Sequence, residues 1–278
     1  MCNEKSGPFF QKTHSAQSSN FAVYDRAASN INFTSVLPRK LITKLPPIAD
    51  KAEYDEIIKR ILNSKTILGE RFWSFKEDEA IYKNIKDEYI GLLPYCGCND
   101  VSFYINGYLG NRLDKCGVYI PSEKTACDFV RALDYSLKQL DKEFGTFSGF
   151  VFRGGYFTLK PGQFASASES PAIGAAFHGY DPKTQYSIIK VKDAHKIHDF
   201  QKAMNSSYAN EEKEILLDRN MKRRFVPKEE YSMEIIKLKE AFARNLCHEA
   251  KLYYAYTRPP KVLTYENALN KIKVYEQI

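Results

Sequence analysis

Three short stretches of this chain carry side chains whose types and spacing suit chemistry. The first is Glu212-Lys213-Glu214, followed at once by Ile215, Leu216 and Leu217. In a strand, residues i and i+2 point to one face, so both carboxylates would project together. In a helix they would diverge by about 200°. The preceding run from Ser206 to Asn210 favours a loop running into a strand. Carboxylates held this close raise each other's proton affinity, which prepares one of them for acid or base work. Taken alone, the tripeptide fits a solvated strand edge guarded by charges better than a catalytic pair. The second stretch is Arg153, placed at the end of the apolar run 149–152 and followed by Gly154 and Gly155. A planar guanidinium suits bidentate recognition of phosphate or carboxylate, and glycines let backbone approach a ligand. The third is Ser166-Ala167-Ser168, two small hydroxyls at strand spacing that can hydrogen-bond a neighbouring carboxylate.

These residues need elements to hold them. Tyr54, Ile57, Ile58, Ile61 and Leu62 form one stripe of an amphipathic helix, with Asp50 as its cap after the paired prolines 46–47. Ile81, Ile85, Tyr89 and Leu92 repeat the helical spacing up to Pro94, and Val101 to Leu113 reads as a shorter, glycine-interrupted helix. Ser122 caps a strong helix with Phe129, Leu133, Leu137 and Leu140 on one face, ended by Gly145. Strands are then expected at 149–156, 186–193, 213–217 and 251–258, with a short helix from Pro171 to Phe177. Helices first and strands later predict an α+β fold, its helices packed on a mostly antiparallel sheet. Residues 1–48 read as a flexible leader or translocation region, and 49–278 as a single catalytic domain.

The 278 residues, 44% hydrophobic, are ample for a globular core. The net charge of +7 is compatible with phosphates, an acidic partner or nucleic acid and selects none. It is spread along the chain without a nucleic-acid motif, so no nucleic acid is expected as partner, although a basic binding module stays open as a different class of function. No apolar run approaches the roughly 20 residues of a membrane span. The first 20 residues lack the pattern of a secretory signal, so the six cysteines are expected to be reduced thiols. The Cys96-x-Cys98 pair has no second pair to complete a zinc site, and no metal is expected. Walker and Rossmann glycine patterns are missing after the strands, and no Gly-x-Ser-x-Gly elbow surrounds either serine.

Taken in order, "FRG" at 152–154, "FASAS" at 164–168 and "EKEILL" at 212–217 resemble the arginine–serine–glutamate class of mono-ADP-ribosyltransferases, a group of bacterial toxins, translocated effectors and vertebrate ecto-enzymes. The segment "YINGYLGNRL" at 104–113 is similar to the helix that precedes the arginine strand in that family. The resemblance runs roughly from Asp100 to Val226. It departs at Ala167, where the family has threonine, and the chain lacks the disulfide pattern of the ecto-enzymes. The resemblance implies an ADP-ribosyltransferase-like fold with a split sheet, and transfer of ADP-ribose from NAD to an arginine of a target protein. NAD is the co-substrate, with no metal. Arg153 would bind the NAD phosphates, and Gly154 would let backbone approach the nicotinamide amide. Ser166 would orient Glu214, and Ser168 would belong to the NAD-binding set. Glu214 would bind the nicotinamide ribose and stabilise the cation formed as nicotinamide leaves, while Glu212 would receive the incoming guanidinium. Tyr208 would face the protein acceptor, and Phe177 or Tyr180 would stack near the nicotinamide. The same site with water as acceptor would be an NAD glycohydrolase. Toxin or effector relatives imply secretion into a host cytoplasm by a route without a signal peptide, or else a cytoplasmic location.

Overall fold

The computed structural model describes residues 45–64, 85–97, 99–109, 123–155, 162–176, 184–203, 213–254 and 263–278. The first helix, α1 (Lys51–Leu62), starts as its cap predicts: the Asp50 carboxylate accepts the Glu53 N–H at 2.9 Å. Its stripe of Tyr54, Ile57, Ile58 and Ile61 is buried. The expected helix through Tyr89 and Leu92 is instead a 3₁₀ turn, Asp87–Leu92, and helical structure does not stop at proline. It continues as α2 (Leu93–Gly97), because Pro94 falls in a first turn, where its missing N–H has no partner to lose. After α3 (Asn99–Leu109) comes α4 (Glu123–Phe144), whose Phe129, Leu133, Leu137 and Leu140 are all buried. Gly145 closes α4 at φ 69°, its N–H bonded to the Asp141 carbonyl at 2.9 Å. The 3₁₀ turn lies so close to α4 that a Cβ on Gly91 would sit 2.8 Å from the Ala132 carbonyl oxygen. The Gly91 N–H donates to the buried Tyr54 hydroxyl at 2.9 Å, which also meets Ser136 Oγ at 2.9 Å.

Strands then alternate with short helices: β1 (Thr146–Gly155), β2 (Ala165–Ser168), α5 (Pro171–Ala176), β3 (Gln185–His195), α6 (Ile197–Ala203), β4 (Glu214–Leu217) and β5 (Arg223–Phe225). A long helix, α7 (Met233–Tyr254), precedes α8 (Tyr265–Lys271) and β6 (Ile272–Gln277). The strand expected at 251–258 is not formed over Lys251–Tyr254, which is the last turn of α7; 255–262 lie outside the described residues. The helix wins there because Ile235, Phe242, Ala243, Leu246 and Ala250 share one buried stripe, and that burial overrides the local β preference of the tyrosines. The C-terminal strand is β6, whose buried Ile272 and Val274 flank exposed Lys273.

The sheet has the order β1-β2-β4-β3-β6-β5, and β1 also pairs with β3. Strands β1, β2, β4 and β3 therefore close into a small ring, with β6 and β5 as an extension. One pair, His195 opposite Leu216, joins β3 to β4. All pairings are antiparallel except β3 with β6. Val151, Ala165, Ala167, Ile189, Val191, Ile215 and Leu217 form one buried cluster inside the ring. A second cluster joins α1 to α4 with Phe164 and Leu216, and a third joins α7 and α8 with Phe152, Tyr186 and Ile188. The protein is thus α+β, a small antiparallel barrel between two helical layers.

Candidate active site

Arg153 enters the site from the end of β1, Ser166 and Ser168 from β2, and Glu214 from the first position of β4. The register sets Phe152 opposite Ser168, and Ser168 opposite Glu214. Arg153 and Glu214 therefore flank β2 within one residue of the same row, two inter-strand spacings or roughly 10 Å apart along the sheet, but Arg153, next to Phe152, leaves β1 on the opposite face from Ser168 and Glu214. Directly opposed residues of an antiparallel pair share a face, so Ser168 faces Glu214, and Ser166, opposite Leu216, lies one pleat along on that face. Both Ser168 and Glu214 are buried, at 0% and 7% exposure. Ser168 Oγ accepts the Ser170 N–H at 3.1 Å, which ties the serine to the turn before α5.

Arg153 donates from Nη1 to the Ser166 carbonyl oxygen, and among the described residues no carboxylate pairs with it. Burial lowers its pKa to about 10, with the neighbouring Arg223 pushing the same way and Tyr95 against. The group keeps its charge at neutral pH but has exchanged water for a carbonyl dipole. Such a cation is set to take an anion. Its guanidinium lies across Gly155, where a Cβ would come 3.0 Å from Nη2. Gly154 has a packing reason of its own: a Cβ there would lie 3.0 Å from the Gly174 carbonyl oxygen and 3.3 Å from the Tyr186 ring.

The helical layer adds a residue that motif spacing did not reveal. Tyr95 of α2 is buried and close enough to feel the charges of both Glu214 and Arg153. Burial raises its pKa, so the phenol stays a neutral donor. Its hydroxyl accepts from Asn106 Nδ2 at 3.1 Å, and its ring meets Phe164 edge-on at 5.6 Å. Among the described residues, Asn106 Oδ1 is buried with no hydrogen-bond partner. Nothing in the sequence around Tyr95 separates it from an ordinary core tyrosine; only the docking of α2 over β2 and β4 brings it here.

The expected same-face arrangement of Glu212 and Glu214 does not follow from strand geometry. The strand begins at Glu214, and Lys213 stands at φ 45°, so the alternation stops there. Glu212, Tyr208, Phe177 and Tyr180 lie outside the described residues, as does Cys98. Among the described residues, no group of three or more His, Cys, Asp or Glu side chains is arranged to hold a metal, and no helix is long and apolar enough to cross a membrane. A hollow of about 330 Å³ opens elsewhere, between α1 and α4, where Arg60 and Asp128 pair at 2.9 Å; no strand residue lines it. No family model, curated protein or solved structure matches the chain.

Proposed function

We propose that the protein is a mono-ADP-ribosyltransferase that moves ADP-ribose from NAD to an arginine side chain of a target protein, releasing nicotinamide. The observation that carries this reading is an enclosed cation on β1 and a buried carboxylate at the start of β4, both close enough to act on the Tyr95 phenol. Among the described residues Arg153 has a carbonyl and no carboxylate as partner, and Ser168 stands opposite Glu214 on the neighbouring strands. One end of the site is suited to a diphosphate and the other to a developing positive charge. Tyr95, held by Asn106, is a further polar partner for a ligand at the two charges.

In this reading Arg153 holds the NAD diphosphate. Ser168 and Ser166 orient the Glu214 carboxylate against the nicotinamide ribose. The bond between ribose C1′ and the nicotinamide nitrogen breaks, and its electron pair leaves with nicotinamide. Glu214 stabilises the oxocarbenium-like cation, as a carboxylate does in glycoside hydrolysis. A guanidinium nitrogen of the acceptor attacks C1′, and Glu212 takes the proton released. Tyr208 and Phe177 are assigned the acceptor and nicotinamide ends respectively, and Gly154 the backbone approach beside Arg153. A host protein as acceptor, delivery as a secreted effector and action in the host cytoplasm belong to the same proposal.

The test is incubation with NAD labelled in its adenylate half, together with arginine-rich acceptor protein and a cell lysate. Labelled protein, lost on treatment that cleaves the arginine linkage, supports the reading. Nicotinamide release that needs no acceptor and labels no protein replaces it with NAD hydrolysis, and absence of any NAD turnover overturns it.

A further inference from the structure

Glu214 is the first residue of a four-residue strand, and the residue before it, Lys213, holds a left-handed φ of 45°. That conformation costs a non-glycine residue about 1 kcal/mol or more, so neighbouring contacts must maintain it. Two contacts grip the backbone on either side of the Glu214 Cα. The Glu169 N–H donates to the Lys213 carbonyl oxygen at 3.3 Å. His198, the second residue of α6, brings Nδ1 to 3.3 Å from the Glu214 carbonyl oxygen. A carbonyl only accepts, so this nitrogen carries the proton. Glu169 Oε1 stands 3.7 Å from the same nitrogen, and Asp199 Oδ1 stands 3.2 Å from Nε2. The side chain is mostly buried, at 14% exposure, so its ring is held between α6 and the start of β4.

We propose that His198 is a positioning residue for Glu214. By holding the Glu214 carbonyl while Glu169 holds the one before it, His198 fixes both peptide planes around that Cα. The direction in which the carboxylate leaves the sheet is thereby set against a strained neighbour. The inference rests on the ADP-ribosyltransferase reading for its catalytic consequence, and on geometry alone for its structural one.

Two substitutions of the full chain separate the contact from the bulk of the ring. His198→Asn places an amide nitrogen where Nδ1 stands, whereas His198→Gln places it where Nε2 stands and gives up the Glu214 carbonyl. Two measurements are made on each: hydrogen exchange of the peptide spanning residues 213–217, and steady-state release of nicotinamide from NAD. The glutamine variant is expected to exchange about fivefold faster in that peptide. Its kcat should fall about tenfold at unchanged KM, while the asparagine variant stays close to wild type in both. Unchanged exchange in the glutamine variant overturns the proposal, and so does an asparagine variant as impaired as the glutamine one. If the wild-type chain turns over no NAD, the functional reading falls while the exchange comparison still decides whether His198 holds Glu214.

Discussion

The two glutamates beside Lys213 carry separate tasks in the proposed reaction, and the tasks separate by substitution. Glu214→Gln removes the charge that stabilises the ribosyl cation, so nicotinamide release and protein labelling should both fall by about 10²–10³, read in one assay with labelled NAD. Glu212→Gln should lower labelling by a similar factor but spare nicotinamide release, since water still reaches the cation. Arg153→Lys keeps the charge and loses the planar fork, so KM for NAD should rise about tenfold. The charged members of this site were legible in the sequence because arginine, serine and glutamate on expected strands stand out from an apolar background. Tyr95 and His198 were not. Each is an aromatic or imidazole side chain whose neighbours come from elements distant in the chain, and spacing holds no record of such contacts. Strand alternation also does not relate Glu212 to Glu214, because Lys213 between them is left-handed and Glu212 lies outside the described residues.

Among the elements, α5 is seated on β1 by an absence of atoms. A Cβ on Gly174 would stand 2.5 Å from Phe152 Cβ, so Gly174→Ala forces helix and strand apart. The expected cost is about 1–3 kcal/mol in urea unfolding, with some loss of NAD affinity because Arg153 follows Phe152 on the same strand. Gly145→Ala, at φ 69° and with open space around it, should cost about 1 kcal/mol and leave NAD turnover unchanged. Helices with a continuous apolar stripe, α1 and α4, were legible to within a few residues. The segment 251–254 was not, because the tyrosines' preference for strands is weaker than the burial of the α7 stripe that begins well before them. Strand β6 carries its signal in the alternation of Ile272, Lys273 and Val274, but residues that short declare a strand only when a partner such as β3 is already in place.

At the scale of the whole molecule, His195 joins α4 to the ends of two strands. Its Nδ1 lies 2.9 Å from Asp141 of α4, and its Nε2 lies 3.6 Å from Asp218, just past β4. Burial alone would lower its pKa, but the two carboxylates overcome burial and hold it at about 9. A folded value above the unfolded value near 6.5 means that the imidazolium contributes its full stabilisation below pH 6.5. That contribution declines as pH rises and is gone above about 9, a change of a few kcal/mol. Urea unfolding at pH 6, 7.5 and 9.5 should show the decline, and His195→Asn should flatten it. Arg219 and Asp134, paired at 2.8 Å, tie the same strand end to α4 through a second contact. The order of the strands was beyond reach of the sequence, since a ring of four short strands is set by pairings between residues far apart in the chain.

Among the described residues that ring has two junctions of a single pair, Phe152 opposite Ser168 and His195 opposite Leu216. A junction of one pair is a seam, the His195 seam is the one that titrates, and seams part before walls do. Partial opening there would carry β4 away from β3 and take Glu214 with it, while the helical layers keep their packing. Catalytic activity should therefore vanish at a lower urea concentration than helical ellipticity, and the gap between the two midpoints should widen as pH rises toward 9.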